Sequence, residues 1–136
     1  MLKPNLKNIL LFIFVKHILF YIFMMFKNND YTLISIFEYK TFQDWFMYLF
    51  IFLWMPFVYC FLFIIALHYA LNPKRLFITL PIILSIFVVE YTVYTFLNSP
   101  ANYLNGIYNA LIGAIVLLLF FYKSVRSKAK TYLTNS

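Results

Sequence analysis

The sequence predicts an all-α integral membrane protein, a compact four-transmembrane-helix bundle with both termini cytoplasmic. Three observations carry that expectation. Residues 45–71 run without a Lys, Arg, Asp or Glu, and as a helix they would reach about 40 Å, more than the roughly 30 Å apolar core of a bilayer. Hydrophobic residues make up 65% of the 136 and charged ones 11%, a composition that aggregates in water and is ordinary in lipid. The positive charge is also unevenly placed, as the connections show below. Four spans and their connections consume almost the whole length, so residues 1–136 read as one transmembrane domain.

Span 1 covers about 9–26, after a short lead carrying Lys3 and Lys7. A basic start and an apolar core resemble a signal peptide. The small-x-small cleavage site is missing and bulky residues fill the distal end, so the segment is expected to stay as an uncleaved span.

The connection 27–44 mixes Lys27, Asp30, Glu38, Lys40 and Asp44 with Leu33, Ile34, Ile36, Phe37, Tyr39 and Phe42. Two forms suit it: a short interfacial helix lying on the membrane, or a plain loop with aromatic anchors. Thr41 followed by Asp44 has the spacing of a helix start, a hydroxyl cap with an acid in the first turn.

Span 2 covers 45–71 and carries Pro56 near its centre, which predicts a bend near Met55. Trp45, Tyr48 and Tyr69 suit the two interfaces. Trp54 sits too deep for that and is expected to pack against another helix or subunit. Span 3 covers about 76–97 after the basic turn Asn72-Pro73-Lys74-Arg75, with Pro81 starting the regular helix late or kinking it lightly. Span 4 covers about 103–122 after an uncharged turn. The basic tail 123–136, with Lys123, Arg126, Lys128 and Lys130, either extends span 4 as an amphipathic turn or frays.

The topology follows from these basic residues. Lys3, Lys7, Lys74, Arg75 and the four of the tail fall on one side; Lys27 and Lys40 fall on the other. Over segments this short the positive-inside bias applies. Both termini are therefore expected inside, with 27–44 and the 98–102 turn outside. Compact loops favour a bacterial inner (plasma) membrane.

The formal charge of +7 does not predict nucleic-acid binding, because the basic residues flank apolar spans and no soluble body is left to carry a basic face. Cys60 is the only cysteine, which excludes an intrachain disulfide and a multi-cysteine metal site.

Glu90 is the only acid inside any span. A lone charge in hydrocarbon is costly, so it must be protonated, paired, or facing a wet interior. Asn109 of span 4 sits at nearly the same depth. Lys16 rises from the inner side of span 1, and its stem either reaches Glu90 or snorkels to the cytoplasmic interface. A Lys16–Glu90–Asn109 cluster between spans 1, 3 and 4 is one arrangement; a neutral Glu90 hydrogen-bonded to Asn109 or Tyr94 is the other. His17 and His68 are the metal or haem candidates. They lie at different depths without a supporting carboxylate, so His68 reads as an interfacial hydrogen-bonding group and His17 as a companion of Lys16. No cofactor or metal is expected.

Gly106, Ala110 and Ala114 recur every four residues in span 4, with Gly113 beside them. Such a stripe lets two helix backbones approach closely, either span 3 or a second copy. Two glycines and one central proline leave little material for the broken helices of many transporters. There is no nucleophile–base spacing, paired acidic motif or Gly-rich phosphate loop, so no catalytic residue is assigned and no enzyme activity is expected. The first functional expectation is a small non-enzymatic subunit or accessory protein, acting through helix–helix contact with a partner membrane protein, with lipid around it. The alternative is an oligomeric channel or small transporter for a cation, proton or small solute, using Glu90.

Overall fold

The computed structural model describes residues 2–31, 40–72, 76–98 and 102–134, with the side chains at 51, 76, 77, 98 and 127–134 left aside. The choice between interfacial helix and loop for the 27–44 connection falls mainly on 32–39, outside the described residues, as do Lys74 and Arg75.

Four helices make up the described fold: α1 (Leu6–Asn28), α2 (Phe42–Leu71), α3 (Leu76–Asn98) and α4 (Tyr103–Thr134). Each contains a segment long and apolar enough to cross a membrane, and the chain is a multi-pass membrane protein. They pack as a ring in chain order, α1 beside α2, α2 beside α3, α3 beside α4 and α4 back beside α1. That order leaves α1 and α3 facing each other across a diagonal, so a side chain joining those two must cross the bundle axis.

Local chemistry sets the helix ends. Asn5 caps α1 by accepting from the Asn8 amide at 2.8 Å. Asn29 closes it in the left-handed region at φ 51, a conformation that Asn tolerates better than most residues. Thr41 and Asp44 form the expected start of α2 as a full capping box. The Asp44 amide donates to Thr41 Oγ1 at 3.2 Å and the Thr41 amide donates to Asp44 Oδ2 at 2.9 Å. Both prolines are carried inside helices, Pro56 in α2 and Pro81 in α3. Helix α3 starts at Leu76, ahead of Pro81, and does not wait for it.

Helix α4 runs past the end of its apolar stretch and is helical to Thr134, interrupted only at Phe121 (φ −117, ψ 17). The tail extends the helix, because Lys, Arg and Ala are good helix formers once the apolar run stops. Phe121 is fully buried against Phe12, and beside it the Phe120 carbonyl takes the amide of Leu2 at 3.0 Å. Insertion of a foreign amide is a recognised cause of such a break.

The same end of the bundle gathers Asn72, donating to the Pro4 carbonyl at 3.2 Å, and Ser124, donating to the Leu71 carbonyl at 3.2 Å. The start of the chain and the distal part of α4 therefore lie at one end, called here the terminal end. At the opposite end Lys27 of α1 donates to Asn105 of α4 at 2.7 Å.

The interior is a column of Ile9, Phe12, Ile13, Phe20, Met55, Tyr59, Phe63, Leu67, Leu71, Ile86, Tyr94, Val116, Leu117 and Phe121. Apolar side chains also cover the outside, among them Leu11, Ile22, Phe46, Phe61, Val88, Phe96 and Leu119. In lipid such an exterior needs no burial, since acyl chains are as apolar as leucine.

Candidate functional site

On α1 the inward stripe is Ile9, Phe12, Ile13, Lys16, His17 and Phe20, the three-and-four spacing of a helix face. A lysine and a histidine occupy its middle. Lys16 is 2% exposed and forms an ion pair with Glu90 of α3, itself 3% exposed. The pair crosses the diagonal between α1 and α3, and so lies on the bundle axis.

The other two helices shape this crossing. Tyr59 of α2 presents its ring to Lys16 Nζ at 4.4 Å from the centroid, a cation–π contact that desolvation strengthens. Gly113 of α4 provides room for the lysine stem. A Cβ there would stand 3.0 Å from Lys16 Cε and 3.1 Å from Phe87 of α3. All four helices thus meet around a single lysine side chain.

Tyr59 is also the centre of the hydrogen bonds. Its hydroxyl donates to the Glu90 main-chain carbonyl at 3.2 Å and accepts from Asn109 Nδ2 at 3.2 Å. The His17 ring meets the Tyr59 ring edge to face at 4.6 Å, and His17 Nδ1 lies 2.8 Å from the Ile13 carbonyl. Lys16, His17, Glu90 and Asn109 all contact this one phenol. Asn109 is completely buried and bonds Tyr59, in place of the Glu90 carboxylate expected from their shared depth.

A cavity of about 10 Å³ adjoins the pair, lined by Lys16, Glu90, Tyr59, Phe63, Ile86 and Leu117 among others, which is room for about one water. Its apolar lining residues all lie on the terminal side of the pair: those on α1 and α3 precede Lys16 and Glu90, and Phe63 and Leu67 follow Tyr59. Beyond the pair in the other direction stand Tyr94, Thr95 and Asn109, all buried, and then the Lys27–Asn105 contact at the rim.

The remaining candidates are dispersed. His68 lies at the end of α2, where Asn72 Nδ2 sits 3.0 Å from its Nδ1, far along the chain from the cluster. His17 and His68 do not come together, and no metal-binding group of three or more His, Cys, Asp or Glu occurs among the described residues.

Trp54 faces outward. It is 48% exposed and tilts over Phe50 of its own helix at 5.5 Å, instead of packing on another helix of the chain. Pro56 and Met55 are buried while Trp54 is not, because a helix advances 100° per residue and a neighbour in sequence falls on a different face.

Gly106 of the span 4 stripe packs within the chain. A Cβ there would lie 2.5 Å from Thr95 Oγ1 and 2.9 Å from Tyr91, both of α3. Gly106 therefore fits tight α3–α4 packing, and Gly113 the passage of Lys16. Ala110 and Ala114 are half-buried.

Tyr59 is the residue of this cluster that sequence reasoning missed. The available signal was its depth: tyrosines favour interfaces, and a phenol in mid-span needs a partner. No family model matches the chain, and neither a curated protein nor a solved structure matches it.

Proposed function

We propose that this chain is a small membrane transporter or channel for a proton or small ion, with Glu90 as the acid in its path and Lys16 as the resident counter-charge. The observation that carries this reading is the ion pair enclosed on the bundle axis. Such a pair makes a poor stabiliser, because desolvating two charges offsets most of their attraction, and apolar replacements are often neutral or better. Ionisable groups facing a bundle interior are instead characteristic of ion and proton pathways. The small cavity on one side and the buried hydroxyls and amide on the other supply the beginnings of a path.

In this reading the protein is non-enzymatic and sits in a bacterial plasma membrane. The terminal end is cytoplasmic, since Lys3, Lys7, Lys123 and Arg126 gather there. Several copies surround or line the path together.

The accessory-subunit reading keeps one observation in its favour. Phe46, Leu49, Phe50, Leu53, Trp54 and Phe57 line an apolar groove on the outside of α2, a surface that another protein's helix could fill. The transport reading ranks first because it alone uses the buried charges.

The test is flux through the purified protein in liposomes, with proton and monovalent-cation gradients applied in turn. The comparison is a Lys16→Gln/Glu90→Gln variant, which removes both charges together and leaves neither orphaned. Flux above that of empty liposomes, lost in the variant while its elution profile and melting are retained, supports the proposal. Wild-type protein without flux, or a variant with full flux, overturns it.

A further inference from the structure

Around Tyr59 several buried side-chain acceptors are vacant. The Ile13 carbonyl can only accept, so His17 Nδ1 carries the ring proton and Nε2 presents a lone pair. That nitrogen is buried and has no partner among the described residues. The Tyr59 proton goes to the Glu90 carbonyl, so the Asn109 atom facing the phenol oxygen must be the donating Nδ2. This assignment leaves Asn109 Oδ1 as a second buried acceptor without a partner. Glu90 Oε1 meets Lys16 Nζ as an ion pair; among the described residues neither atom has a hydrogen-bond partner, nor does the buried hydroxyl of Thr95. Buried polar atoms left this way are costly, and three of them, Glu90 Oε1, His17 Nε2 and Asn109 Oδ1, can only accept, which favours a ligand that brings positive charge. An anion would find as donors only the Lys16 ammonium, already paired with Glu90, and the Thr95 hydroxyl.

We propose that this cluster binds a monovalent alkali cation in exchange for the proton of Lys16, one for one. The inference rests on the reading that the chain moves small ions through its bundle. Glu90 supplies the carboxylate, and Asn109 Oδ1 and the Tyr59 oxygen supply neutral oxygens. His17 Nε2 accepts from a water carried by the ion.

Charge is conserved at each stage. Glu90 carboxylate and Lys16 ammonium sum to zero. When the cation takes the carboxylate, the ammonium passes its proton to water and becomes an amine, and the sum is again zero. A single carboxylate matches a single positive charge, so divalent ions are disfavoured. The titratable groups against Lys16 are Glu90 of α3, Tyr59 of α2 and His17 of its own helix, while α4 meets it with Gly113. Among these Glu90 alone is an acid, so the ammonium loses its counter-charge whenever a cation arrives.

Two measurements test the exchange. In liposomes holding a pH dye, with the membrane potential clamped by potassium and valinomycin, an inward sodium or lithium gradient should make the lumen alkaline. The rate should be unchanged when the clamped potential is altered. A sodium or proton flux that follows the potential and lacks mutual coupling overturns the exchange while leaving the transport reading in place. Absence of every flux overturns both.

The second measurement needs no membrane. Adding sodium or lithium chloride to the protein in weakly buffered detergent should release about one proton per chain, with choline chloride releasing none. No release, or equal release by choline, overturns the proposal. Lys16→Gln should separate coupling from packing. A purely structural lysine predicts lost stability with coupling retained, whereas the proposal predicts that sodium flux persists and becomes potential-driven.

Discussion

Two lysines on α1 stand eleven residues apart in sequence and close to the same face of the helix, about 16 Å apart in height. Each lies over a tyrosine, Lys16 at 4.4 Å from the Tyr59 centroid and Lys27 at 4.5 Å from that of Tyr108. Each has one side-chain oxygen acceptor. For Lys16 that acceptor is a carboxylate, Glu90; for Lys27 it is the neutral amide oxygen of Asn105 at 2.7 Å. The two sites share their donor, ring and helix face, and differ in burial. Lys27 is exposed, while Lys16 is 2% exposed. At the rim, water or headgroups carry most of the ammonium's solvation, and an amide completes it. On the bundle axis only the Tyr59 ring and a cavity the size of one water adjoin the ammonium, and a full opposite charge is required. The comparison teaches that position on the helix sets the geometry, whereas burial sets the charge of the partner.

The largest effects should come from orphaning one charge on the axis. Glu90→Gln or Lys16→Met alone should destabilise the bundle by about 3–5 kcal/mol, the usual consequence of breaking a buried pair from one side. The double variant should recover most of that loss. Denaturant unfolding of the four proteins in detergent closes this cycle, and additive losses would mean that the pair is solvated after all. Next comes the passage for the lysine stem. Gly113→Val places carbon where Lys16 Cε and Phe87 stand within about 3 Å of the new Cβ, and overpacking of this kind costs about 1–3 kcal/mol. Restoring volume with Phe87→Leu should relieve part of it; no relief would mean that Gly113 matters for backbone reasons instead.

Tyr59→Phe should rank lower, at about 1–3 kcal/mol. It keeps the ring beneath Lys16 and leaves the Asn109 amide without its acceptor. Adding Asn109→Leu should then come close to neutral, as removing both partners of a hydrogen bond often does. A Tyr59→Phe protein of full stability would show that the phenol is not the centre of the cluster. Paired against Lys27, where the Tyr108 ring stays beside solvent, the same Tyr→Phe change at 108 is expected to be silent.

The order of these effects also marks what could be read from residues alone. Span positions were legible because an apolar run is a one-dimensional signal: 45–71 became Phe42–Leu71, and 76–97 became Leu76–Asn98. The pairing of Lys16 with Glu90 was legible because few charges enter the spans and two of them lie within reach. Rotation of each helix about its own axis was not legible. When every face is apolar, no periodicity says which one points inward, so the sequence left Trp54 to another helix or a subunit, whereas it faces outward from α2, and Tyr59 was passed over. Helix α4 exceeded its span because the end of an apolar run marks the edge of the membrane, whereas helix propensity continues through Lys, Arg and Ala.

The smallest prediction sharpens the comparison most directly. Asn105→Glu would give Lys27 the same partner type that Lys16 has, on the same helix face and beside a similar ring. If burial decides the value of a charge, this new pair should add less than about 1 kcal/mol, because an exposed lysine and a half-buried rim position exchange one set of solvent contacts for another and lose side-chain freedom. Its contribution should also fall as salt is raised, while the axial pair stays insensitive. Unfolding of Asn105→Glu and the parent at low and high ionic strength measures both. A gain of several kcal/mol that survives salt would place Lys27 in an environment as dry as that of Lys16, and the difference between the two lysines would then have to come from their tyrosines.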